Sequence, residues 1–221
     1  MSQAISDPVK LRFQLLGIFS IARETSAMSF ANTLFLLARN PHIWTELRQQ
    51  ALTLGDIENE QVTFDHLKSL PLFRYTVLEG LRLHSPIIRN RRVAAHDAVL
   101  PRGGGPDGSS PALVPKGSIV WYDLYESTRD PKAWGEDVDD FRPSRFEGKK
   151  IGSEFTPFSV GPRMCPANQQ VIAQSMYLLF RLVLEFESIE NRDSCLEFQE
   201  AVYMCLHSKN GCKIALHPSK A

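Results

Sequence analysis

The sequence predicts a mainly α fold with small β-sheets, and three observations carry the prediction. Asp7-Pro8, Asn40-Pro41 and Ser85-Pro86 punctuate the first part of the chain into stretches of helical period. The middle switches to short β-like runs separated by Gly and Pro. A last amphipathic stretch, from Asn168 to about Phe186, leads into a tail of β-like runs. The 221 residues are 43% hydrophobic, enough for one good-sized core or for part of a larger domain.

The elements follow in order. Asp7 is a good N-cap with Pro8 at the first helical position. Leu11, Leu15, Ile18, Ala22, Phe30, Leu34 and Leu37 recur close to the helical period, so one long helix is expected up to about Asn40. A second helix is expected from Pro41 to about Leu54, a third over Thr63 to Leu67, and a fourth within "LPLFRYTVLEGLRLHSP". "IIRNRRVAA", "DAVL" and "SIVWYDLY" read as strands, and "PRGGGPDGSSPALVPKG" reads as a Gly/Pro loop. Residues 127–156 read as Pro-rich and irregular apart from a short helical turn. In the last helix Val171, Ile172, Met176, Leu179, Val183 and Phe186 line one face. "EAVYMCLH" and "CKIALH" are expected to pair as a hairpin around Lys-Asn-Gly.

Bulk properties exclude several function classes. A net charge of zero leaves no electrostatic footprint for nucleic acid. No apolar run reaches the roughly 18 residues of a membrane-spanning helix, and "MSQAISDPVK" lacks the apolar core of a signal peptide. The four cysteines form no CxxC pair, and a disulfide framework is not expected. The histidines show no zinc-site spacing, and no phosphate-binding glycine loop is present.

The stretch "FTPFSVGPRMCPANQQ" carries the sharpest signal. Cys165 lies between a Gly-Pro-Arg turn and a helix start. There it can be a packing residue, a redox thiol or a metal ligand. Gly161 permits a backbone conformation closed to other residues. The helix N-terminus and Arg163 both favour thiolate, the form that ligates metal. Glu79 and Arg82 in "LEGLRL" are three apart on one helix face, which by itself is an ordinary ion pair. "IARETSA" places an acid beside an alcohol in the middle of the first helix, and alone it reads equally as a solvated face.

The F-x-x-G-x-R-x-C spacing of Phe158, Gly161, Arg163 and Cys165 resembles the haem-binding loop of the cytochrome P450 family, with Ala167 where glycine is commoner. The other motifs follow in the family's order. The resemblance implies that Cys165 is the axial thiolate of haem iron. It implies that Glu79 and Arg82 of the E-x-x-R motif join Arg145 of "FRPSRF" in a structural network bracing that loop. It implies that Ala22 abuts the cofactor and that Glu24 and Thr25 assist proton delivery. Arg92 of "RRVA" would pair with a haem propionate, and Ile87 and Ile88 would face substrate. Ile21 stands where a smaller residue is usual and would tighten the pocket.

The "PRGGGPDG" string resembles fungal microsomal members that hydroxylate n-alkanes and fatty acids. The implied activity is hydroxylation of a C–H bond in a small apolar substrate, using O2 and electrons from NADPH-cytochrome P450 reductase. The implied fold is the C-terminal, haem-binding half of the family's mainly α architecture. Residues 1–221 would be that half, with the N-terminal half absent. The family's fungal members sit on the cytosolic face of the endoplasmic reticulum membrane, whereas this chain, with no spanning segment, is expected there or soluble in the cytoplasm. A truncated, inactive fragment with weak or no haem binding is the alternative.

Overall fold

A computed structural model describes residues 5–55 and 62–219. Helix α1 spans Pro8–Arg39. The Asp7 carboxylate accepts from the Val9 and Lys10 amides at 2.9 and 3.3 Å, which satisfies two of the free N–H groups at the helix start. Burial along α1 is uneven. Its buried residues begin at Ser29, and the turns before it lie open with Phe13 and Phe19 more than 60% exposed.

Helix α2, Pro41–Leu52, and helix α3, Phe64–Lys68, follow, the latter capped by Thr63. Helix α4, Pro71–Leu83, is buried on nearly every side over its second half, from Thr76 to Leu83. Helix α5, Pro131–Trp134, is one turn, and helix α6 spans Asn168–Glu185. The core lies where α1, α2, α4 and α6 meet. Leu37, Trp44, Leu47, Phe73, Val77, Leu179, Phe180 and Val183 are almost fully removed from water there. The Trp44 indole N–H donates to the Phe186 carbonyl at 3.2 Å, so its one polar group is satisfied as the ring is buried.

Gly80 sets the approach of α4 to α1. A Cβ at this position would stand 2.4 Å from the Thr33 hydroxyl, a distance that no side chain tolerates. The missing side chain lets the two helices close on each other.

Among the described residues, four antiparallel two-stranded sheets complete the fold. Strand β1, Arg89–Val93, pairs with β4, Ile119–Asp123. Strand β2, Ala98–Gly104, pairs with β3, Ser110–Val114, so the segment expected as a loop is a hairpin. Its glycines and prolines serve the turn and its rim, with Gly103, Gly105 and Gly108 at positive φ, while the flanking residues pair.

The C-terminal expectation is corrected in a second way. "EAVYMCLH" folds back on itself, β6 (Glu200–Val202) pairing with β7 (Leu206–Ser208). Strand β8, Ile214–Pro218, pairs with β5, Phe186–Asn191, which leaves α6 directly. The helical pattern of α6 therefore stops at Glu185, one residue short of the expected end, because Phe186 already has extended backbone. The region expected to be irregular holds two 3₁₀ turns, Glu126–Arg129 and Pro143–Phe146, besides α5.

Candidate active site

The cysteine loop is shaped by its own backbone. Gly161 sits at φ +75°, a region open to glycine at little cost, and begins a 3₁₀ turn to Arg163. Ser159 sits at φ +63°, an uncommon conformation for a residue with a side chain. The Ser159 amide donates to Thr156 O at 2.9 Å, Met164 N to Gly161 O at 3.0 Å and Cys165 N to Phe158 O at 2.9 Å. From outside, the Tyr122 hydroxyl on β4 shares a 3.2 Å hydrogen bond with Ser159 Oγ. The thiol of Cys165 is thus presented, half-buried, ahead of α6.

Across from the loop lies the middle of α1. A mostly apolar cleft of about 240 Å³ separates them, with Ile21, Thr25 and Ser29 on the α1 wall and Phe158, Arg163 and Cys165 on the other. Leu81 and the turn Ser85–Ile87 close one side, and Asn90 of β1 borders another. Thr25 Oγ1 donates to Ile21 O at 2.9 Å, and the helix runs unbroken past it.

Of the residues singled out from sequence, Ile21, Thr25, Ile87, Phe158, Arg163 and Cys165 line this cleft. Gly161 supports the loop without facing it. Ala22 does not reach the cleft. It lines instead a neighbouring groove together with Ala167 and Gln170. Glu24 also lies outside the cleft wall and stands half-buried in reach of Cys205, whose thiol is pushed up by burial and by that carboxylate. Ile88 is half-buried and outside the lining, its carbonyl accepting from Leu124 N at 2.8 Å. Arg92 is exposed, shares a strand face with Asn90, bonds Asn90 Oδ1 at 3.1 Å and lies 5.4 Å from the Tyr122 ring.

Glu79, Arg82 and Arg145 come together beneath the site. Arg82 grips the Glu79 carboxylate through Nε at 2.7 Å and Nη2 at 2.9 Å, and neither side chain is exposed at all. Arg145 Nε adds a bond of 3.2 Å and the Arg142 amide one of 3.1 Å, both to Glu79 Oε1. Further guanidinium protons have acceptors too: Thr128 O and Asp140 O for Arg82, and Asp137, Asp140 O and Trp134 O for Arg145. Burial works against the Arg145 charge, but the Asp137 and Glu79 carboxylates outweigh it and raise its pKa. Asp137 is in turn held below the usual carboxylate range, chiefly by its hydrogen bond from Arg145.

The network reaches the cysteine loop through aromatic rings. Arg82 lies 5.3 Å from the Trp134 ring, Trp134 packs on Phe146 and Phe155, and Phe155 opens the loop. Sequence reasoning missed Asp137, whose spacing to Arg145 carries no periodic signal. It also missed Ser29, which stands one helical turn beyond Thr25 and was legible from the i, i+4 rule.

No helix among the described residues is long and apolar enough to cross a membrane. The family model for cytochrome P450 matches residues 8–212. The cytochrome P450 monooxygenase himC of Aspergillus japonicus is 35% identical over 98% of this chain and 38% of its own length. The monooxygenase iliC of Hypocrea jecorina is 39% identical over 98% of this chain and 47% of its own length. Cytochrome P450 52A10 of Candida maltosa is 39% identical over 86% of this chain and 38% of its own length. The chain therefore spans less than half the length of these relatives, and over that span, from the capped start of α1 through the cysteine loop to the C-terminal strands, it belongs to the cytochrome P450 family.

Proposed function

We propose that this chain supplies the thiolate-ligated haem site of a monooxygenase. The reaction is hydroxylation of an apolar substrate: one atom of O2 enters a C–H bond, the other leaves as water, and two electrons and two protons are consumed. An n-alkane, a fatty acid or a fungal secondary-metabolite intermediate fits the apolar cleft, and NADPH-cytochrome P450 reductase supplies the electrons. The site of action is the cytosolic face of the endoplasmic reticulum membrane. The single observation carrying this reading is Cys165 facing the Thr25 segment of α1 across the cleft.

The residues present fit haem. A lone sulfur opens onto a mostly apolar slot, and no group of three His, Cys, Asp or Glu gathers among the described residues to chelate a bare metal ion. A metal at Cys165 would thus bring its other ligands with it, as haem iron does. Cys165 would hold the haem iron through its thiolate, with Phe158 and Gly161 shaping the loop around it. Arg163, which lines the cleft, would lie against the cofactor, and Arg92, by the resemblance, would pair with a propionate. Bound haem supplies the chemistry of O2 activation.

The protein's own tasks are positional and protic. The cleft walls hold the substrate, with Ile87 half-buried beside it. Thr25 offers a hydroxyl whose oxygen can accept and pass a proton. Glu24, one residue before it and half-buried, is the carboxyl reserve, reaching Thr25 through water rather than from the wall. Glu79, Arg82 and Arg145 keep the loop in register.

A second reading, a catalytically inactive fragment with weak or no haem binding, draws on one observation. Phe13, Phe19 and Ile21, all over 60% exposed, leave the first half of α1 unpacked. The reduced carbon-monoxide difference spectrum of the haem-loaded chain separates the two. The monooxygenase reading expects a red-shifted thiolate-type Soret band that disappears in Cys165→Ala. Absence of the band in the unaltered chain selects the fragment reading.

A further inference from the structure

Asparagine is a poor residue for a helix interior, since its amide competes for backbone hydrogen bonds and costs free energy when buried unpaired. Asn32 nevertheless sits within α1, seven residues beyond Thr25 on the same side, and is 2% exposed. Both protons of its Nδ2 are used. One goes to His84 O at 2.9 Å and the other to Leu206 O at 3.1 Å. Two carbonyl oxygens can be met only by the NH2 end of the amide, so chemistry fixes its orientation.

The two acceptors belong to segments distant in sequence. His84 caps the end of α4, immediately before Ser85, Pro86 and Ile87, which line the cleft. Leu206 begins β7, and its own amide returns to Pro86 O at 2.8 Å. The result is a closed ring of hydrogen bonds joining α1, the α4 exit turn and the β6–β7 hairpin. The His84 ring, stacked on Phe198 with centroids 3.6 Å apart, packs against the same junction.

We propose that Asn32 is a positioning residue for substrate. It touches no ligand itself. It sets where the Ser85–Ile87 turn stands relative to Thr25, and so fixes the width of the cleft on its substrate side. It also holds the hairpin whose tip carries Tyr203, 90% exposed, beside that turn. The inference rests on the cleft being the substrate site.

Hydrogen-exchange mass spectrometry on the full chain tests it, with Asn32→Ala and Asn32→Asp. The expected result is exchange about tenfold faster in peptides covering 84–88 and 200–208, as a lost hydrogen bond of ordinary worth gives, with the β5–β8 sheet unchanged. Asn32→Asp, which keeps the shape but offers oxygens to two carbonyls, should loosen these peptides at least as much. Calorimetric titration with dodecanoate should show about tenfold weaker binding in Asn32→Ala. The proposal is overturned if the hairpin exchanges at its original rate, if every element loosens together, or if Asn32→Asp behaves as the unaltered chain. It is equally overturned if dodecanoate binds both forms alike. A missing Soret band in the unaltered chain would count against the haem reading alone, because the exchange experiment needs no haem.

Discussion

At the scale of single residues, the polar groups that matter are those removed from water. His84 is 8% exposed, and its Nδ1 has no partner among the described residues. Burial first, then the positive Arg129 and Arg82, push its pKa down from 6.5 to about 3, so the folded chain holds the ring neutral. The unfolded chain takes up a proton near pH 6.5 and the folded chain only near pH 3. Between those values the unfolded state binds more protons. The stability due to the neutral ring is therefore complete above about pH 6.5 and is lost as pH falls towards 3, by up to about 1.4 kcal/mol per unit. His84→Phe keeps the stack on Phe198 and removes the titration. Urea unfolding at a series of pH values should show a shallower loss of stability on acidification for this variant. Parallel curves for the two proteins would show that His84 does not govern acid unfolding.

At the scale of elements, the helices were the most legible. Pro8, Pro41 and Pro71 each begin a helix, Asp7 and Thr63 cap theirs, and the period of Leu15 to Leu37 runs through α1. The β2–β3 hairpin was not legible, because the glycines and prolines of its turn dominate the local signal while the pairing of Leu100 with Ala112 does not. The partner of β8 was hidden for a different reason. Its register is with β5, over twenty residues upstream, and local pattern carries no information on which strand is met. In the site, Cys165 and the E-x-x-R pair stand out by spacing, whereas which α1 residues line the cleft does not: Ile21, Thr25 and Ser29 do, at intervals of four, and Ala22 does not.

Gly80 shows what such patterns conceal. It lies in a good helical sequence where alanine would raise intrinsic helix propensity, yet α1 passes too close for any Cβ. Gly80→Ala is expected to destabilise the chain by about 1–3 kcal/mol through overpacking. Thr33→Ala added to it should return part of that loss by removing the hydroxyl that clashes. Chemical denaturation of the two variants measures both effects. A Gly80→Ala chain as stable as the parent would show that α1 and α4 can separate without cost.

At the scale of the whole molecule, Glu79 is the point through which helix, turns and cysteine loop act together. It lies on α4, while its partners come from the same helix, from the Pro143–Phe146 turn and from the Arg142 amide. Arg82 carries the connection on to Thr128 and Trp134, and Trp134 carries it to Phe155 at the start of the loop. A carboxylate with no exposure between two guanidiniums is tolerable only while every charge is answered. Removing it strands the buried Arg82 cation and leaves Arg145 to Asp137 alone, and breaking such a buried pair typically costs about 3–5 kcal/mol. A domain holds only about 5–15 kcal/mol in total, so this single change would consume a large share of it. Glu79→Ala should therefore collapse the solubility of the chain or lower its denaturant midpoint steeply. Glu79→Gln, which keeps hydrogen-bond acceptors but not the charge, should fall between. The effect should also reach the far end of the network. In any folded fraction of Glu79→Ala, exchange at the amides of Ser159, Met164 and Cys165 should accelerate, because their loop loses its brace through Phe155. Folded Glu79→Ala protein with that loop still protected would mean the network stabilises the core alone, and that the loop holds its shape through Gly161, Ser159 and Tyr122.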